Sequence, residues 1–240
     1  MLAHDSDAAE QVAHTGRRRH LSNVAASHIR DLVVSGEISG GEYLRPAQLA
    51  AQLGISITPV REALLMLCAE NFVALEPQRG FVAVPLTRDD ILDLFHAQGL
   101  IAGELAARAA GMAGEPALRE LRRMQDELEA AARVGANNDV EQINFEFHRF
   151  INKLPGAPKL EWVLRTFVRY TPRRYFANIE GWRSASVRDH HDILDALASA
   201  DPEQARAAAQ THVRHAGELL VEHFSRRAAW TAGPSPEPGP

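Results

Sequence analysis

Three histidines and one asparagine are spaced so that they could bind a single metal ion. Asp201 lies 11 residues after His190, and His212 lies 11 residues after Asp201. The stretch Ser-Ala-Asp-Pro-Glu-Gln around Asp201 indicates a break between two helices. Because an α-helix rises about 1.5 Å per residue, both histidines would lie roughly 15 Å from the turn. The spacing therefore predicts that His190 and His212 face each other across a helix pair.

The turn itself has the residues of a well-defined helix start. Asp201 is a suitable N-cap, Pro202 suits the first helical position, and Gln204 could complete a capping box. A turn defined in this way also defines the heights of the two histidines along their helices.

A third helix offers two further ligands. Asn144 and His148 are four residues apart, which places them on one helix face. Neutral imidazole suits zinc, nickel, copper or iron, and a site with few protein ligands keeps positions open for water or a ligand carboxylate. His191 lies about 100° around the helix from His190 and should face elsewhere. The alternative is that each histidine is an ordinary hydrogen-bonded core or surface residue.

The elements that must position these ligands are helices. Residues 88–226 contain no convincing strand, and their periodicity predicts an antiparallel, all-helical bundle with short connections. The predicted helices cover residues 88–111, 116–134, 139–153, 157–176, 185–199 and 202–226. Pro85-Leu86-Thr87 is the expected boundary with a separate domain over residues 17–87.

The preceding domain is predicted to contain three helices followed by a hairpin. Pro46 can open the second helix, Gly54 ends it, and Ser56 or Thr58 can cap the third. Two valine-rich strands then flank the turn at residues 77–80. Residues 1–16 and the proline- and glycine-rich residues 227–240 are expected to be disordered tails.

Two short helices joined by a tight turn are typical of a winged helix-turn-helix, whose second helix can lie in the major groove of DNA. Its first turn and the hairpin tip carry polar residues that could contact bases or phosphates. The candidate DNA-binding residues are Arg45, Ser56, Thr58, Arg61, Gln78 and Arg79. A plain three-helix bundle with a decorative hairpin is the alternative.

Composition agrees with a globular protein of the cytoplasm. Apolar residues make up 45% of the 240 residues. The sequence contains no run of 18 apolar residues, so no transmembrane helix is predicted. The single cysteine, Cys68, excludes a disulfide framework and a thiolate zinc site. The net charge is −5, but residues 17–84 hold seven arginines against six acidic residues. A polyanion would therefore contact the N-terminal third.

The stretch Leu-Gly-Ile-Ser-Ile-Thr-Pro-Val-Arg-Glu-Ala-Leu at residues 53–64 resembles the recognition motif of the GntR family of bacterial transcription regulators. Residues 29–38 and the wing stretch at residues 79–82 are also similar to that family. Two positions depart from it, because Ile57 and Ala47 stand where arginines are usual. Losing two cations should weaken phosphate attraction and alter base readout, although Arg45 and the run at residues 17–19 could compensate.

Residues 88–226 resemble the FCD branch of that family, in which a helical domain holds a divalent metal and senses small organic acids. The resemblance rests on Asn144 and His148, on Asp-His-His-Asp-Ile-Leu-Asp-Ala at residues 189–196, and on His212. It implies a metal bound by Asn144, His148, His190 and His212, with zinc expected and nickel, manganese or iron possible. Asn144 replaces a frequent aspartate, and Gln98 stands where an arginine often meets the effector. Arg149, Arg169, Arg173 and Arg174 could instead neutralise a carboxylate, or be surface charges.

These observations together predict a metabolite-responsive regulator and not an enzyme. It would bind double-stranded operator DNA as a homodimer, with repression as the expected outcome. The alternative is a metal-dependent hydrolase, because His191-Asp192 faintly resembles the HD phosphohydrolases, which are also helical. A purely architectural DNA-binding protein would leave the histidines unexplained.

Overall fold

A computed structural model describes residues 4–168 and 176–226 of the chain. The chain divides into two compact units between Leu86 and Thr87. The first unit contains three helices and three strands, and the second contains helices only among its described residues. The predicted fold class, a winged helix-turn-helix followed by an all-helical bundle, is confirmed.

The first unit is a winged helix-turn-helix with a three-stranded sheet. Its elements are α1 (His4–Val34), β1 (Tyr43–Leu44), α2 (Pro46–Leu53), α3 (Ile57–Ala69), β2 (Val73–Glu76) and β3 (Gly80–Ala83). The predicted hairpin is the antiparallel pair of β2 and β3, and β1 adds to the other edge of β3. The sequence did not predict β1, because a two-residue strand shows no periodicity and depends on its pairing with Phe81 and Val82.

The first helix is longer than the sequence predicted. It begins at His4, well inside the segment 1–16 that was expected to be a tail. That segment contains no proline, and its only glycine is Gly16. Its composition therefore allows α1, whose later residues pack against α3, to extend toward the N-terminus.

Packing of α1 against α3 forms the centre of the first unit. Ala25 and Ile29 of α1 and Val60 and Leu64 of α3 are completely buried. Arg30 is buried beside them and forms an ion pair with Glu70, with Nε and Oε2 3.0 Å apart. The guanidinium of a buried arginine needs such a partner, so this pair holds the C-terminal end of α3 against α1.

The second unit is a bundle of six α-helices and one 3-10 helix within its described residues. They are α4 (Arg88–Ala110), α5 (Glu115–Val134), α6 (Asn137–Lys153), α7 (Pro158–Val168), the 3-10 helix Phe176–Asn178, α8 (Trp182–Ala198) and α9 (Pro202–Arg226). The predicted helix over residues 157–176 is described only to Val168, and residues 169–175 lie outside the described part. None of the described helices is both long enough and apolar enough to cross a membrane.

Local hydrogen bonds mark the start of the bundle. The Thr87 hydroxyl accepts from the N–H of Asp90, and the Asp90 carboxylate accepts from the N–H of Thr87. This capping box satisfies the backbone donors of Thr87 and Asp90 at the N-terminus of α4.

Close packing of α4 against α9 depends on two glycines. A Cβ on Gly103 would lie 2.8 Å from the side chain of Gln210, and a Cβ on Gly217 would lie 2.7 Å from Phe95. The two helices can therefore approach each other at these points only because the side chains are absent. A core of buried apolar side chains from α4, α5, α6, α8 and α9 lies alongside, including Phe147, Ile193 and Leu197.

Candidate metal centre and nucleic-acid interface

The turn between α8 and α9 has the predicted cap. Oδ1 of Asp201 accepts hydrogen bonds from the backbone N–H groups of Glu203 and Gln204, both at 3.0 Å. The backbone N–H of Asp201 donates to the carbonyl oxygen of Ala196. The predicted capping box would instead have paired this N–H with the side chain of Gln204. The turn is thus fixed by Asp201 and by backbone bonds.

Three imidazoles converge inside the bundle, one each from α6, α8 and α9. The ring centroids of His148, His190 and His212 lie 4.6 to 4.9 Å from one another. One nitrogen from each ring can be chosen so that all three lie within 4.8 Å of one another. His190 and His212 therefore do face each other across the helix pair, and His148 completes the cluster.

The donor set fits a divalent metal. Nε2 of His190 and Nε2 of His148 are 3.1 Å apart. Two nitrogens bound to one zinc ion at about 2.0–2.1 Å in a tetrahedral arrangement would lie about 3.3 Å apart. Burial lowers the pKa of both imidazoles well below the usual value, and the neighbouring histidines lower it further. Both rings are therefore neutral near pH 7, which is the state that binds a metal.

His212 brings a buried carboxylate into the cluster. Its Nδ1 is buried and has no hydrogen-bond partner among the described residues, and it lies 3.7 Å from Oδ2 of Asp189. That carboxylate also bonds Nδ1 of His215 at 2.8 Å. Burial raises the pKa of Asp189, but the interactions with His212 and His215 outweigh it and lower the pKa to about 2. Asp189 is thus an ionised group placed beside a candidate ligand, a role that the sequence did not predict.

Asn144 lies on the same cavity wall as His148 and His212. Its Oδ1 accepts a hydrogen bond from the hydroxyl of Ser186, which is buried, at 3.2 Å. An amide oxygen has two lone pairs, so one remains for a further partner. Asn144 is therefore held near the cluster as a neutral oxygen donor.

A cavity of about 540 Å³ opens beside this cluster, and His148 and His212 line it. Arg149 lines it, but its Nη1 donates to Oε2 of Glu146 at 2.9 Å. Arg165 also lines it and has no ion-pair partner within the described part of the chain, although the sequence did not single it out. The other predicted effector contacts, Arg169, Arg173 and Arg174, lie outside the described residues. Gln98 is part of the cavity wall.

His191 does not belong to the cluster. It is exposed, and its Nε2 lies 2.8 Å from Oε1 of Glu129. Asp192 is exposed as well. The hydrolase alternative required these two side chains to lie at a shared metal, so their exposure on another face of α8 removes its geometric basis.

Sequence reasoning also missed Gln125, although a signal for it exists. Gln125 stands on the apolar stripe of α5 with Leu118, Leu121 and Leu128, and it is only 1% exposed. A polar side chain in a position that periodicity assigns to the core needs a partner there. That partner is His190, whose Nδ1 lies 2.9 Å from Oε1 of Gln125.

The predicted DNA-reading residues lie at the surface of the first unit. Gly54 adopts a left-handed conformation with φ of 64° and turns the chain from α2 into α3. Ser56 is the N-cap residue, but its hydroxyl makes no capping bond, so it is free for another partner. Thr58 and Arg61 follow on the first turn, both exposed, and Arg61 has no ion pair among the described residues.

The remaining three candidates flank that helix in sequence. Arg45 is the exposed N-cap residue of α2, and Gln78 and Arg79 are exposed at the tip of the wing. Gln78 has a positive φ of 65°, as a tight turn requires. Arg79 lies 3.4 Å from the hydroxyl of Tyr43, which itself donates to Glu76. The wing tip is therefore tied to β1.

The two departures from the recognition motif are both exposed. Ile57 is the first residue of α3 and is 45% exposed, and Ala47 lies in the first turn of α2. Arg18 of the arginine run forms an ion pair with Glu62 of α3, and Ser22 donates to the same carboxylate at 2.7 Å. One arginine of the run is therefore committed to holding α1 against α3.

Two family models match the chain. The model of the bacterial regulatory proteins of the gntR family matches residues 21–82, and the FCD domain model matches residues 93–215. Together they cover both units.

Two transcriptional regulators match the chain over most of their own length. The chain is 28% identical to the Nta operon transcriptional regulator of Aminobacter aminovorans, covering 80% of this chain and 90% of that one. It is 29% identical to the HTH-type transcriptional regulator McbR of Escherichia coli, covering 88% and 99%. The solved structure of E. coli McbR/YncC has the same fold, with a TM-score of 0.64 over 85% of this chain and 98% of that one at 24% identity.

The matched families and relatives are transcription regulators, which gives the hydrolase alternative no support. The exposed helix-turn-helix surface and the helical domain that follows it in sequence agree with these matches. The chain belongs to the GntR family of bacterial regulatory proteins, in the branch with an FCD domain, and is a DNA-binding transcriptional regulator.

Proposed function

We propose that this regulator binds one divalent metal ion through His148, His190 and His212, with Asn144 as a weaker oxygen ligand. The observation that supports the proposal is the convergence of three imidazoles from three different helices. Two of them, His148 and His212, also line a cavity. Burial lowers the pKa of His148 and of His190, which keeps these two imidazoles neutral near pH 7. A bound ion would satisfy their lone pairs together.

Zinc is the expected ion, with nickel, manganese or iron as alternatives. Three nitrogens and a neutral amide oxygen provide no negative charge in direct contact with the ion. Such a site favours metals that bind imidazole well over hard cations that require several carboxylates. Asp189, one residue before His190, supplies a negative charge nearby.

The ligand sensed in the cavity is proposed to be a small carboxylate. One carboxylate oxygen would fill a coordination position that the protein leaves open. Arg165 lines the cavity, has no ion pair with any residue that the structure describes, and could take the remaining charge. Arg149 would first have to leave Glu146. Arg169 and Arg173 remain further candidates.

The winged domain is proposed to act as half of a homodimer on a palindromic operator. Two recognition helices must match the spacing of two half-sites, so a small change in their separation costs binding energy. A ligand that prefers one arrangement of the helical domains would shift that equilibrium. Repression released by the carboxylate is the mode we expect.

The metal proposal is tested on the full chain purified without chelator. Elemental analysis should find about one equivalent of a divalent metal per chain, or zinc titration should raise the melting temperature. Protein without metal and without any thermal shift on adding zinc, nickel or manganese would overturn the proposal. The histidines would then bind the ligand directly or serve as core residues.

The assembly proposal has a separate test. Sedimentation velocity of the free protein and of its complex with operator DNA should show a dimer at micromolar concentration. Monomers in both states would contradict it, whatever the metal content.

A further inference from the structure

Gln125 makes hydrogen bonds that determine which way its side-chain amide faces. Nε2 donates to the carbonyl oxygen of Val187 at 3.3 Å and to Oε1 of Glu129 at 3.0 Å. Both partners are acceptors, so a flipped amide would place its oxygen against two oxygens. The amide NH₂ must therefore face Val187 and Glu129, and Oε1 must face His190.

This orientation decides where His190 carries its proton. Oε1 of Gln125 lies 2.9 Å from Nδ1 of His190 and has no hydrogen to donate. Nδ1 must donate, and since the ring is neutral, the lone pair lies on Nε2. That lone pair points to the side on which Nε2 of His148 lies, 3.1 Å away.

A second contact holds the plane of the same ring. The Phe147 ring stacks on His190 with centroids 4.2 Å apart and planes inclined by 11°. Stacking restrains the tilt of the imidazole but leaves two ring orientations and two tautomers open. The hydrogen bond to Gln125 selects one ring orientation and one tautomer.

We propose that Gln125 is a positioning residue that locks His190 in the Nδ1–H tautomer, with the lone pair of Nε2 directed into the histidine cluster. The consequence for metal affinity rests on the proposed metal centre, but the tautomer itself does not. Outer partners of this kind hold metal-binding histidines in the orientation and tautomer that the ion requires, and their loss typically weakens binding about 10- to 100-fold.

The first experiment measures the tautomer in the metal-free full chain. Long-range ¹H–¹⁵N correlation spectra distinguish a protonated Nδ1 from a protonated Nε2. The wild type should show His190 with the proton on Nδ1, and Gln125→Met, which keeps the side-chain length without the acceptor, should lose that preference. A wild type protonated on Nε2, or an unchanged tautomer in the variant, would overturn the inference.

The second experiment measures the affinity for zinc alone by competition with a chromophoric chelator. Gln125→Met should weaken binding about 10- to 100-fold. Gln125→Leu, a second variant without the acceptor, should weaken binding to a similar extent. Gln204→Met, which changes an exposed glutamine of α9, should bind zinc as the wild type does. Circular dichroism of each variant verifies the fold.

The outcomes separate this inference from the metal proposal. Equal zinc affinity of the wild type and Gln125→Met would overturn the positioning role while the metal centre stands. A wild type that binds no metal but shows the Nδ1–H tautomer would overturn the metal centre, and Gln125 would still fix the tautomer of His190 within a metal-free histidine cluster.

Discussion

The two units of the chain present their polar residues in opposite ways. In the winged domain Arg45 and Arg61 extend into solvent without ion-pair partners among the described residues. In the helical domain His190 and Gln125 are almost completely buried, and each is held by the other. The exposed side chains can change conformation when a partner binds, and the buried side chains hardly can.

The difference matches the chemistry of DNA and of the proposed metal ion. DNA is a hydrated polyanion whose phosphates attract cations over several ångströms, so long side chains at the surface are sufficient. A metal ion is bound only where ligand atoms lie within a few tenths of an ångström of the required positions. The helical domain must therefore hold each ligand side chain in place, while the winged domain needs only the correct placement of its recognition helix.

Removing a histidine of the buried cluster should have the largest effect on stability. His212→Ala removes one of three imidazoles, and we expect the remaining two to hold zinc too weakly to stabilise the fold. With free zinc at about 100 times its dissociation constant, the wild type gains roughly 2.7 kcal/mol. Calorimetry should therefore show that chelator lowers the melting temperature of the wild type but not of His212→Ala. His191→Ala, the matched control on the exposed face, should keep the chelator effect, and its loss there would contradict the assignment.

The exposed set should give a smaller effect that is confined to DNA. Arg61→Ala should weaken operator binding by about 1–3 kcal/mol without changing zinc affinity. Fluorescence anisotropy over a range of salt concentrations distinguishes the two kinds of contact. A phosphate contact lowers the salt slope by about one, and a base contact relaxes one operator position. Arg119→Ala, at an exposed arginine of α5, serves as the control. Unchanged affinity of a folded Arg61→Ala would remove the main predicted contact.

A change at the α8–α9 turn sharpens the comparison, because it lies far along the helices from the histidines. Asp201→Ala removes an acceptor for two N–H groups and should destabilise the helical domain by about 1 kcal/mol. If the turn also defines the heights of His190 and His212, zinc affinity should fall as well. Urea denaturation and zinc titration measure the two effects. Asp195→Ala, at an exposed position inside α8, should alter neither.

The smallest expected effect concerns pH and the winged domain. Hydrogen bonds from Ser22 and Arg18 lower the pKa of Glu62 below its usual value. The carboxylate therefore stabilises the fold above the pKa of the unfolded chain, about 4.3, and this contribution is lost as pH falls through the lower pKa of the folded state. Glu62→Gln should flatten the acid limb of stability measured between about pH 6 and pH 3, and Ser22→Ala should reproduce part of the change. An acid limb identical to the wild type in both variants would contradict the assignment.

Much of the candidate site could be predicted because its determinants are local. The i, i+4 spacing of Asn144 and His148 and the cap at Asp201 follow from the geometry of a single helix or turn. The helix-turn-helix follows from Gly54 and the apolar positions that flank it. Such patterns need no knowledge of which elements lie beside each other.

Other features could not be predicted because they join distant parts of the chain. Gln125 bonds a histidine 65 positions away, and Asp189 bonds His215, on another helix. The two-residue strand β1 exists only through its pairing with β3. The apolar stripe of α5 marked Gln125 as unusual, but nothing in the sequence named its partner.

The sequence by itself determined the two domains, the boundaries of most helices, the recognition motif and the equal heights of His190 and His212. These depend on hydrogen bonds and periodicity within a few residues, which any copy of the segment would repeat. The tertiary structure decided that His148 meets those two rings, that Gln125 holds one of them, and that Arg149 pairs with Glu146. Which helix faces meet is set by the sum of many non-local packing contacts, and no single stretch of sequence contains that sum.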